Sequence, residues 1–123
     1  MRNIKGLAAI AEEEVRALVA SLPEDLRNRA GEVAREYLPR PTPDLLADGV
    51  EADSLGLFSG ASLRDGPTED FIAPVIHLFL ENILDYAEGD METFREEVCT
   101  TWYHEFGHYL GLEEDDLEER GLE

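Results

Sequence analysis

Residues 104–108 read His-Glu-Phe-Gly-His, two imidazoles four positions apart with a carboxylate directly after the first. On an α-helix that spacing turns the chain through only about 40°, so His104 and His108 project from one face and can reach one ion together. Glu105 stands roughly 100° round the same helix, beside such an ion rather than on it. Imidazole nitrogens suit zinc, which lowers the pKa of a bound water to about 7. Glu105 would take the proton of that water as a general base. Iron, cobalt or nickel would also suit two histidines and a carboxylate. The competing reading is two surface histidines that happen to share a helix.

A catalytic zinc needs a third protein ligand and one open position. The run continues Tyr109, Leu110, Gly111, Leu112, Glu113, Glu114, Asp115, Asp116. Gly111 lets the chain reverse after the helix and return toward the ion. Glu114 is then the best placed third ligand, with Asp115 and Asp116 as rivals and Glu113 as a weaker one. The plainer reading of this acidic run is helix capping and a solvated face. No side chain is marked out as an oxyanion stabiliser; Tyr103, Tyr109, His77 and Arg64 are the candidates.

The motif must sit late in a strong helix. Residues 91–110 supply one, with Asp90 as N-cap after Gly89 and Gly111 as a left-handed stop. Phe94, Val98, Trp102, Phe106 and Tyr109 share its apolar face, with Cys99, Tyr103 and Leu110 beside it. His104 and His108 fall with Glu97, Thr100 and Thr101, which could orient the ligands. Upstream, residues 6–21 have helical spacing, and Pro23 fits the first turn of a second helix. Residues 31–38 are ambiguous: propensity continues the helix, whereas alternating Val33, Arg35 and Tyr37 permit a strand. Asp44–Ala47 reads as a helical turn closed by Gly49. Residues 54–60 and 74–80 read as strands, the second alternating Ile76, Leu78 and Leu80 with Val75, His77 and Phe79. Asp65, Gly66 and Pro67 mark a loop, and Asp115 or Asp116 would cap a last short helix.

Composition narrows the partners. The chain has 123 residues, a length that fits a single domain over 1–123. Asp and Glu number 29 against 10 Lys and Arg, a net charge of -19. Such a surface repels nucleic-acid phosphates and anionic membranes, and favours cations, divalent metals and basic peptide segments. Neither nucleic acid nor membrane is expected as a partner. The single cysteine, Cys99, excludes an intramolecular disulfide, and no apolar run reaches 18 residues. The N-terminal apolar stretch is too short and too acidic for a signal peptide, so a cytoplasmic location is expected. Oligomeric state is not legible.

The segment from His104 to Glu114, HExxHxxGxx with a carboxylate next, followed by DxLEERGL, resembles the small bacterial zincin-like metallopeptidases, or minimal zincins. Residues 55–63 (LGLFSGASL), 74–80 (PVIHLFL) and 22–26 (LPEDL) are similar to further segments of that family. The resemblance implies an α+β, zincin-like fold with a small mixed β-sheet packed beside the HExxH helix, and a strand at 33–37. It implies a zinc-dependent peptidase acting on a peptide or protein substrate, with His104, His108 and Glu114 as ligands and Glu105 as the base. Family members usually carry Asp where Glu114 stands, so ligation could shift to Asp115. A bound peptide would add along a strand edge, with 75–80 as the first candidate. The alternative is a zinc-binding interaction or regulatory module without peptidase activity.

Overall fold

The computed structural model of the chain describes residues 3–63 and 72–111. Helix α1, Ile4–Ser21, starts two residues earlier than its apolar spacing suggests, because Asn3 caps it by accepting from the amides of Lys5 and Gly6. Its buried stripe is Leu7, Ala11 and Val15. Helix α2, Glu24–Ala30, follows, with Pro23 as the N-cap itself. Strand β1, Ala34–Leu38, replaces the helical alternative at this segment. Helix α3, Pro43–Ala47, is capped by Thr42, and Gly49 follows it with φ of 100°. Strand β2 is Gly56–Ser59 and strand β3 is Val75–Phe79.

The chain then turns directly into helix α4, Leu80–Tyr86, so Leu80 is helical rather than the end of the strand. Helix α5, Met91–Tyr109, begins where expected: Asp90 accepts from the Thr93 amide at 2.8 Å and from its hydroxyl at 2.7 Å. Gly111 adopts φ of 83°, a left-handed conformation that favours glycine.

The three strands form one mixed sheet in the order β1-β3-β2, with β1 parallel and β2 antiparallel to β3. This overturns 75–80 as a peptide-binding edge: β3 is paired on both sides, so it has no free backbone groups to offer. Among the described residues, the edges are β1 and β2. Leu55 O accepts from Phe79 N at 2.9 Å, which sets the alternation of the antiparallel ladder. With the register Gly56↔Leu78 and Phe58↔Ile76, the amides and carbonyls of Gly56 and Phe58 therefore point away from β3.

One face of the sheet packs on α1 and α5. Ile76 and Leu78 are buried there with Leu7, Ala11, Val15, Phe94, Val98, Trp102 and Phe106. On the same face, Arg35 and Tyr37 of β1 reach Glu12 of α1. The guanidinium is bidentate at 2.9 and 2.7 Å and the phenol donates at 2.6 Å. These bonds hold the Glu12 carboxyl below its ordinary range. Strand alternation sends Ser59, His77 and Glu36 to the opposite face. Among the described residues, no helix is long and apolar enough to cross a membrane.

Candidate metal centre and cleft

Helix α5 presents two sides of different chemistry. Its buried side holds Phe94, Val98, Trp102, Phe106 and Tyr109, as the apolar stripe demands. Its other side carries His104, Glu105 and His108, all half-buried. Burying the stripe against α1 and the sheet thus fixes how the motif is aimed.

The two imidazoles converge. His104 Nε2 and His108 Nε2 are 3.2 Å apart, and the rings meet nearly at right angles, 83°, with centroids 4.8 Å apart. Two nitrogens held at about 2.0–2.1 Å by a tetrahedral ion lie about 3.3 Å from one another. The observed separation therefore suits both nitrogens for one zinc ion. A Glu105 carboxylate oxygen lies with them, all three donor atoms being within 4.8 Å of one another. This trio is the one grouping of metal-type donors among the described residues. Glu113, Glu114, Asp115 and Asp116 lie outside the described residues, as does Arg64.

A cleft of about 310 Å³ opens beside the trio, lined by Ser54, Leu55, Gly56, Glu97, Thr100, Thr101, His104 and Glu105. Its wall is the start of β2 and its floor is α5. The two elements touch closely: a Cβ added at Gly56 would lie 2.6 Å from Thr101 Cγ2 and 3.1 Å from the carbonyl oxygen of His77. Only glycine allows that approach. The wall is held from behind by Asn82, which is 5% exposed and donates to the carbonyls of Ala52 and Ser54 at 2.8 and 2.9 Å. Ser54, Gly56 and Asn82 are the residues that sequence reasoning misses. The signal for Gly56 was the glycine inside a strand pattern, a mark of close backbone approach.

Glu97, Thr100 and Thr101 do share the side of α5 that carries the histidines, but they line the cleft toward the helix N-terminus. The oxyanion candidates fare differently. The Tyr109 hydroxyl donates to Glu32 at 2.9 Å and its ring is 4% exposed, so it is engaged away from the cleft. Tyr103 stacks on Trp102 at 6.5 Å between centroids. His77 is on the far face of the sheet, with Nε2 bonded to Ser59 Oγ at 2.9 Å and Nδ1 3.7 Å from a Glu36 carboxylate oxygen. Burial holds its pKa below the ordinary imidazole value, partly opposed by that carboxylate. Cys99 is a half-buried thiol pushed up to about 11, first by burial and then by the Glu14 carboxylate, as befits an inert packing residue.

A helix bearing HExxH on its solvent side, packed under a small mixed sheet whose edge strand borders the motif, defines the zincin class of metallopeptidases. The family model for zincin-like metallopeptidases matches residues 32–122, and the chain belongs to that family. No curated protein matches the chain. Membership implies zinc binding, and the His104–Glu105–His108 cluster has donors and spacing that fit it.

Proposed function

We propose that this protein is a zinc-dependent peptidase in which His104 and His108, with Glu114 as third ligand, hold the ion and Glu105 is the general base. The observation that carries the reading is the 3.2 Å convergence of two Nε2 atoms beside an open cleft, with the Glu105 carboxylate in the same group. A bound zinc would supply Lewis acidity toward a peptide carbonyl and a water. The Glu105 carboxylate would accept a proton from the attacking water and return it to the leaving amine as the C–N bond breaks. Among strand edges, β2 is the one that borders the cleft. The outward Gly56 and Phe58 amides and the Phe58 carbonyl offer an extended peptide backbone a ladder to join, while the Gly56 carbonyl already accepts from Ser54 Oγ at 2.9 Å. The charge of -19 disfavours nucleic acid as an alternative partner.

The test is the Glu105→Gln variant, which keeps the shape of the side chain and removes its basicity. Zinc content should match the parent chain, while hydrolysis of a mixed peptide library should fall by about 10²–10⁴-fold. Undiminished cleavage by Glu105→Gln would remove Glu105 from the mechanism.

A further inference from the structure

The cleft runs from the histidines toward the N-terminal half of α5, and the charged side chain at that end is Glu97. Glu97 is half-buried, and no hydrogen bond or ion pair engages its carboxylate among the described residues. The cation nearest to it in sequence among the described residues, Arg95, pairs with Glu14 at 2.8 Å. Among the described residues no cation meets this partly buried carboxylate, which leaves its charge to be matched by a ligand. Of the described lining residues at that end, the Thr100 and Thr101 side chains and the Ser54–Gly56 wall bring no positive charge. At about 310 Å³ the hollow is at the small end of ligand pockets, room for one side chain rather than a cofactor.

We propose that Glu97 is a specificity-determining residue that receives a lysine or arginine side chain of the bound peptide. This rests on the peptidase reading above and adds a substrate class to it. The position follows from helix and strand geometry. Glu97 lies seven residues before His104, two turns or about 10.5 Å along the axis. An extended chain advances about 3.3 Å per residue. The recognised side chain therefore belongs to about the third residue from the scissile bond, on the side facing the start of α5. The net charge of -19 draws basic segments to the surface first.

Two readouts test this on the full, zinc-loaded chain. In the first, a randomised peptide mixture is digested and the cut sites are mapped by mass spectrometry for the parent, Glu97→Gln and Glu97→Lys. The expected result is enrichment of Lys and Arg at one position, roughly fivefold over neutral residues, as one partly exposed ion pair gives. Glu97→Gln should bring that ratio toward one, and Glu97→Lys should replace it by enrichment of Asp and Glu. Cleavage without basic enrichment, or enrichment that survives both substitutions, would overturn the proposal while leaving the peptidase reading standing. The second readout needs no cleavage: fluorescence anisotropy of lysine-containing peptides and their norleucine counterparts on Glu105→Gln. Tighter binding of the lysine form, abolished by adding Glu97→Lys, supports the proposal even if no peptide is cut. Equal affinity, or no binding of either, overturns it.

Discussion

Replacing Gly56 by alanine is the sharpest probe of how the cleft is built. The new methyl would sit 2.6 Å from Thr101 Cγ2, inside any real contact distance, and 3.1 Å from the backbone oxygen of His77. Overpacking of this kind costs about 1–3 kcal/mol. Losing glycine's extra freedom in the unfolded chain returns about 0.4–1 kcal/mol. The net expectation is a loss of about 1–2 kcal/mol in urea unfolding, with β2 displaced from α5. Thr101→Ser deletes the clashing methyl and by itself costs about 1 kcal/mol, since Thr101 is 8% exposed. Combined with Gly56→Ala it should recover a good part of the damage, giving a favourable coupling of about 1 kcal/mol in the double-mutant cycle. Additive losses, or a Gly56→Ala chain as stable as the parent, would refute the close packing of wall on floor.

Other consequences are open to simple measurement. His77 has a folded pKa below the ordinary 6.5, so the unfolded chain binds its proton first. Its contribution to stability is whole above about pH 6.5 and is lost as pH falls below that through the folded value. The urea midpoint of His77→Gln should therefore fall less than that of the parent between pH 7 and 5; parallel declines would contradict this. Glu12→Ala removes the acceptor of Arg35 and Tyr37 and should cost about 1–3 kcal/mol by chemical unfolding, whereas a change near zero would mean the pairs are solvated. Cys99, with a thiol pushed up to about 11, should react with a disulfide reagent at pH 8 roughly 100-fold slower than a thiol of ordinary pKa. Rapid labelling of the native chain would show that the site opens. Asp90→Ala should cost about 1 kcal/mol through loss of the α5 cap, read as a lower thermal midpoint, and no change would show that the cap is dispensable.

The parts of this protein that were legible in its sequence are those decided locally. Asp90, the Phe94–Tyr109 stripe and Gly111 specify α5 from neighbours within a few turns, and His104, Glu105 and His108 inherit their convergence from helical spacing alone. Strand β1 was different: Ala34 pairs with Val75, and that distant partner, not propensity, makes 34–38 extended. Only family resemblance favoured a strand there. Helix α4 was missed although Leu80, Ile83, Leu84 and Ala87 have helical spacing and are all buried. No breaker separates Phe79 from Leu80, so the apolar run of β3 hid the start of the helix. Strand order was equally illegible, because alternation shows which face is buried but not which strand is central. Among the described residues the strand edge that borders the cleft is therefore Gly56–Ser59 and not 75–80. The proposed third ligand, Glu114, and its rivals Asp115 and Asp116 lie outside the described residues.

Metal stoichiometry tests the central claim most directly. The chain is purified without added metal or a nickel column, dialysed against zinc and then metal-free buffer, and weighed against His108→Ala by elemental mass spectrometry. The account predicts close to one zinc per chain in the parent and loss of it in the variant, because one imidazole of the converging pair is gone. No stoichiometric zinc in the parent, or the same content in both, would contradict it and leave His104 and His108 as a pair of helix histidines.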